Sequence, residues 1–293
     1  CKNLVVRKWM ATVNQQSESL FSFDNQDMMV FILIMSLHGL QMMFAELLPS
    51  FSLGGLELEL GPFLFISYTL VFLFRSFWAC LAVPVGGIVF GEILIGDFSA
   101  FGAVESLLMI TISLYIATTM ISDPEDVKWL AVLAILAKGL EELAAQFIDV
   151  GKFYVGVESL EAIEWLPETI WAVEIAGATT QVIIAGIIFG AIPMTYFYPR
   201  MRGKIEPLLG MEPVEGHRSG KRVNSDTIKG LIAWVVLTPI AFVFEAFSET
   251  SGAFLVFEPK FVESYGQIFF AVPIVAAAIV AYGVVYYRQQ DTA

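Results

Sequence analysis

Apolar residues run through this chain in long unbroken blocks rather than alternating with polar ones. A membrane β-strand would alternate over about ten positions, so the pattern predicts helices. Blocks such as 28–48, 101–121 and 265–287 reach the roughly 20 residues a helix needs to cross about 30 Å of hydrocarbon. At that depth an open sheet cannot satisfy its backbone groups, whereas a helix satisfies its own.

The pattern predicts an all-α polytopic transmembrane bundle of eight spans, near 27–48, 60–75, 77–97, 101–121, 127–149, 169–198, 226–248 and 264–287. The apolar run from Pro62 to Phe98 is too long for one ordinary helix, and Arg75-Ser76 is its polar break. Without that break the count falls to seven. The chain then divides into a cytoplasmic segment 1–26, spans one to six over 27–198, a basic cytoplasmic loop 199–225, and spans seven and eight with a short tail over 226–293.

Lys and Arg set the expected direction, because they concentrate on the cytoplasmic side of a membrane protein. With the N-terminus inside, Lys2, Arg7, Lys8, Arg75, Lys128, Arg200, Arg202, Lys204, Arg218, Lys221, Arg222, Lys229 and Arg288 all fall inside. Only Lys152 and Lys260 fall outside, and Lys138 lies within a span. That bias predicts both termini in the cytoplasm and a multi-pass protein of the cell membrane. Pro62 and Pro124 stand near span starts, where a missing N–H costs nothing. Tyr196, Tyr198, Tyr286, Tyr287 and Trp171 fall at span ends, as interfacial belts require.

Composition strengthens the membrane reading. Of 293 residues 57% are hydrophobic and 15% charged, and the mean hydropathy is +0.73, above the half-apolar balance of soluble domains. A net charge of −13 speaks against nucleic acid as a partner. The expected partners are the lipid bilayer, other membrane subunits, and a cation or cationic small molecule. Two cysteines, Cys1 and Cys80, are too few for a disulfide framework or a cysteine-rich metal site. Cys1 in first place admits a processed or lipidated terminus. No phosphate-binding glycine loop follows a strand, and no cofactor is expected. The outer segment 150–168 places Val157, Leu160 and Ile163 between Glu158, Glu161 and Glu164, the pattern of a short amphipathic surface helix.

Candidate chemistry lies in the acids within the spans. An ionisable group at a bilayer centre costs about 2.5–3.5 kcal/mol on insertion scales, so each one invites a functional reading. Glu46, Glu92, Asp97, Glu105, Glu141, Glu142, Glu174 and Glu245 all fall in the outer half of their predicted spans. The expectation is an acidic outer vestibule that concentrates cations by focusing the field in a low-dielectric cleft. Glu92, Glu142 and Glu245 lie a few residues in from a span end, where a short side chain reaches water less easily. Lys138 has Glu141 at i+3 and Glu142 at i+4, so one buried pair is expected with the other carboxylate left as ligand or proton carrier. The predicted cation-binding set is therefore Glu92, Lys138, Glu141, Glu142 and Glu245.

His38, near the middle of the first span, is expected to be a hydrogen-bonded structural histidine; His217 is in the inner loop, too far to pair with it around a metal. Gly87-Ile88-Val89-Phe90-Gly91-Glu92-Ile93 matches Gly186-Ile187-Ile188-Phe189-Gly190-Ala191-Ile192. Both contain a Gly-x-x-x-Gly spacing for close helix approach, and their spans run in opposite directions, as in a three-plus-three inverted repeat. Pro84, Pro193, Pro239 and Pro273 are expected to kink their spans.

Two functions follow as expectations, a transporter or ion-translocating protein using the vestibule and a non-catalytic subunit of a membrane complex. Glu141-Glu142 also resembles the paired glutamates of the glutamate intramembrane proteases. That superfamily needs a basic residue soon after the pair and histidines in later spans, whereas here Ala144, Ala145 and Gln146 follow and no later span contains His.

Overall fold

In a computed structural model the chain is built mainly of helices. It describes residues 24–46, 51–53, 56–58, 63–94, 98–100, 102–157, 169–213, 223–251 and 256–257, with the isolated positions 159 and 167. The expected eighth span, Pro273, His217, Cys1 and, of the outer amphipathic set, all but Val157 lie outside the described residues.

The helices follow the apolar blocks. They are α1 (Asn25–Glu46), α2 (Phe65–Phe74), α3 (Phe77–Ile93), α4 (Gly102–Thr119), α5 (Val127–Val155), α6 (Ile170–Met201), a short α7 (Ile205–Leu208) and α8 (Ser225–Ser251). Four of these, α1, α4, α6 and α8, are long and apolar enough to cross a membrane. Helix α5, at 29 residues, is longer than α1, α4 and α8, but its charges set it apart from that group. Two antiparallel strand pairs lie in the connections, β1 (Phe51–Leu53) with β2 (Leu56–Leu58) and β3 (Phe98–Ser99) with β4 (Val256–Phe257).

The break at Arg75-Ser76 is real and has a clear cause. Arg75 takes φ 51°, ψ 27°, the sole non-glycine residue with positive φ among the described residues. Its N–H closes α2 on the Val71 carbonyl, and the Ser76 hydroxyl then caps α3 by accepting from the Ala79 N–H at 3.0 Å. Helix α2 is shorter than the expected 60–75: ten residues rise about 15 Å, half the hydrocarbon thickness.

Helix α5 runs past the expected end at 149 to Val155, where Gly156 at φ 75° closes it by taking the left-handed conformation. Asp126 caps its start by accepting from the Trp129 N–H at 3.1 Å. The extension puts Glu141 and Glu142 at the helix centre, instead of in its outer half.

Both glycine-rich segments adopt π-helix, Gly87–Ile93 within α3 and Val182–Ala191 within α6. No sequence rule used above predicts this. Pro84 just before the first and Pro193 just after the second withhold an N–H from the α-ladder, and the wider turns take up the local mismatch. Close approach holds at Gly91, Gly186 and Gly190. A Cβ there would meet Met42 at 3.3 Å, the Lys138 stem at 3.2 Å and the Tyr68 ring at 2.9 Å. Gly87 has more room, with His38 at 3.7 Å.

The core lies where α1, α2, α3, α4, α5 and α6 meet, with Ile34, Leu70, Phe72, Leu133 and Met194 buried completely. Helix α8 joins through a smaller apolar cluster of Met109, Ala144, Ile148 and Ala241. Cys80 is buried in α3.

Candidate functional site

A cavity of about 500 Å³ opens between these helices. Helix α1 contributes His38, α2 Tyr68, α3 Glu92, and α5 Lys138, Glu141 and Glu142 to its walls. The wall therefore unites four of the five predicted residues. The fifth, Glu245 on α8, is not among the lining residues. It lies within electrostatic range of Glu105, which is itself in range of Asp149, Lys152 and Glu141; Lys152 pairs with Asp149 at 2.9 Å. Glu174 faces Gln146 across the α5–α6 contact. The side chains of Glu46 and Asp97 lie outside the described residues.

The charged centre of the site is more tightly tied than the sequence predicts. Lys138 Nζ lies 2.6 Å from Glu141 Oε1 and 2.7 Å from Glu142 Oε1, so one ammonium holds both carboxylates and neither is left over. Helical spacing produces this: three and four residues on, both side chains return to the same face. All three side chains are largely withdrawn from solvent, at 11%, 23% and 13% exposure. Two ionised carboxylates on one ammonium leave a net charge of −1, and Glu92 adds a third carboxylate to the wall. Gly186 is what lets α6 close over the Lys138 stem.

A hydrogen-bonded relay ties α1 to α2 and to Phe63 just before it. The Ser67 hydroxyl donates to Gln41 Oε1 at 2.8 Å, and the Gln41 amide donates to the Phe63 carbonyl. Ser67 has spent its proton, so its 2.8 Å contact with His38 Nδ1 requires the histidine to donate. The neutral ring then carries its lone pair on Nε2, the atom nearest Gly87 on the cavity wall. His38 is hydrogen-bonded within the fold, as expected of a lone buried histidine, and it also contributes to the site.

Tyr68 escapes sequence reasoning. It is 3% exposed, lines the cavity, and its hydroxyl has no hydrogen-bond partner among the described residues. That hydroxyl is within electrostatic range of Lys138, Glu141 and Glu142. A buried tyrosine hydroxyl is normally bonded, so this one stands out. No sequence signal marks it, since Tyr68 reads as one more aromatic in an apolar run.

Among the described residues no group of three His, Cys, Asp or Glu side chains is arranged to hold a metal ion. The donor set and the size of the space suit a molecule better than a bare ion, since pockets of about 300–1,000 Å³ are the usual range for small ligands.

Fold and site together define a helical protein with four helices fit to cross a membrane and an acidic cavity among its buried helices. The chain belongs to a family of unknown function, DUF8171, which matches residues 29–293. No curated protein and no solved structure matches it.

Proposed function

We propose that this protein is a multi-pass transporter of the cell membrane that handles a cation or cationic solute through the acidic cavity. The observation that carries the reading is the Lys138–Glu141–Glu142 centre, two carboxylates on one ammonium at mid-helix, with Glu92 on the same wall. A buried cluster serving packing alone would be best neutralised one to one. An excess carboxylate in low dielectric attracts a mobile positive charge.

The topology we propose has eight passes and cytoplasmic termini, with segments 1–26 and 199–225 inside. Contacts between connections support the alternation. On the proposed inner side, Gln26 donates to the Gly210 carbonyl at 3.0 Å, Asn224 to the Thr119 carbonyl at 3.0 Å, and Arg202 pairs with Glu125 at 3.3 Å. On the proposed outer side β3 pairs with β4, joining the connection after α3 to the one after α8. No contact among these links an inner connection to an outer one. The 13-to-2 distribution of Lys and Arg supports the assignment of the inner side.

Flux in proteoliposomes tests the reading. Purified protein should carry labelled methylammonium or sodium down a gradient, and Glu142→Gln should slow it by about tenfold or more, the effect of about 1.4 kcal/mol. Identical flux through parent, Glu142→Gln and protein-free vesicles refutes transport through this site.

A further inference from the structure

The cavity has an apolar neighbour. Helices α5 and α6 enclose a groove of about 600 Å³, lined by Leu143, Phe147, Ile175 and Ile183 among others. These four side chains are 51%, 54%, 59% and 46% exposed, so on a membrane-crossing chain the groove opens to lipid. Among the described residues, Glu142 is the one that lines both the groove and the cavity. A carboxylate thus stands at the junction of an acidic chamber and an apolar slot.

Two further features bear on the ligand's head. Glu141 and Glu142 meet Lys138 through Oε1, and no other protein group among the described residues donates to their Oε2 atoms. On the cavity wall His38, bonded through Nδ1 to Ser67, offers a lone pair on Nε2, and the buried Tyr68 hydroxyl has no partner among the described residues. Several acceptors converging on a chamber fit a head that donates several N–H bonds. The Lys138 ammonium, a primary ammonium at the end of an alkyl stem, already shows how these carboxylates receive such a group.

We propose that the ligand is an amphipathic primary amine whose ammonium enters the cavity at Glu142 and whose alkyl chain lies in the α5–α6 groove. The inference rests on the cation reading above and deepens it by naming the chemical class and a lateral path from the bilayer. A bare metal ion has no use for the groove. A quaternary ammonium cannot donate, and it would leave the acceptors unpaired. A plain lipid chain or an apolar helix in the groove would gain nothing from the carboxylate at its inner end.

Photolabelling of the full chain in nanodiscs tests this, using a primary alkylamine with a diazirine in its tail. The labels should map to Leu143, Phe147, Ile175 or Ile183. Excess octylamine should displace them while octanol does not, and Glu142→Gln should reduce labelling by about tenfold or more. The competition arm uses the parent protein, so it stands even if the variant folds poorly. Labelling spread evenly over all lipid-facing helices, or displaced equally by octanol, overturns the proposal. So does a groove that resists labelling because residues 264–287, a second copy or tightly held lipid fills it. Labels confined to cavity residues such as Met42 and Ile110 overturn the lateral path and leave cation binding standing. No saturable labelling, together with no calorimetric binding of butylammonium or sodium, removes both.

Discussion

Replacing Lys138 with methionine keeps the length and apolar stem of the side chain but removes the ammonium that lies 2.6 Å from Glu141 and 2.7 Å from Glu142. The two carboxylates would then face each other with no counter-charge at a largely buried position. Breaking a buried ion pair by deleting one partner costs about 3–5 kcal/mol, because a desolvated charge is left behind. Here two are left, which places Lys138→Met at the upper end of that range unless a carboxylate takes up a proton. At about 2–4 °C per kcal/mol the melting midpoint of the solubilised protein should fall by about 10–20 °C. The triple variant Lys138→Met, Glu141→Gln, Glu142→Gln removes the charges together and should regain most of the loss, since replacing a whole buried cluster by neutral groups is often neutral or stabilising. Thermal unfolding of all three proteins in the same detergent checks this. If Lys138→Met melts within about 2 °C of the parent, the centre is hydrated, and the argument from excess buried charge is wrong.

Other outcomes follow from the packing and the relay. Ser67→Ala should cost about 1–3 kcal/mol in thermal unfolding, because the His38 Nδ1–H and Gln41 Oε1 both lose a buried partner. Tyr68→Phe should leave the melting midpoint unchanged or raised, since the hydroxyl it removes has no partner among the described residues, while butylammonium binding measured by calorimetry weakens. Gly86→Ala should destabilise by about 1–3 kcal/mol through overpacking, its new Cβ lying 2.4 Å from the Met35 carbonyl oxygen. Gly139→Ala, with nothing within 4 Å of its Cβ, should stabilise α5 by about 0.5–1 kcal/mol; the same unfolding assay compares the two.

The helices were legible because apolar blocks of span length leave few alternatives, and the α2–α3 boundary because Arg75-Ser76 is a polar pair in an apolar run. Glu92, Lys138, Glu141 and Glu142 line one cavity, but the shared outer half of the spans that grouped the acids in the sequence does not hold for Glu141 and Glu142, which stand at the centre of α5. Helix ends were less so: α5 continues to Gly156 because a glycine able to take positive φ closes it there, while hydropathy falls off earlier, at Asp149. The π-helical turns at Gly87–Ile93 and Val182–Ala191 adjoin Pro84 and Pro193, which mark a break in the α-ladder without dictating the form it takes. Tyr68 was hidden because its importance lies in what surrounds its hydroxyl, and its neighbours Lys138 and Gly190 are far away in sequence. Glu245 shows the converse, since equal depth in a span does not fix the direction a side chain faces.

Calorimetric binding of butylammonium to the purified full chain, parent against Glu142→Gln, tests the acidic cavity most directly. Saturable binding by the parent that weakens about tenfold or more in the variant, with the fold intact by circular dichroism, is the predicted result. Equal binding by the two proteins, or none by the parent, contradicts the account.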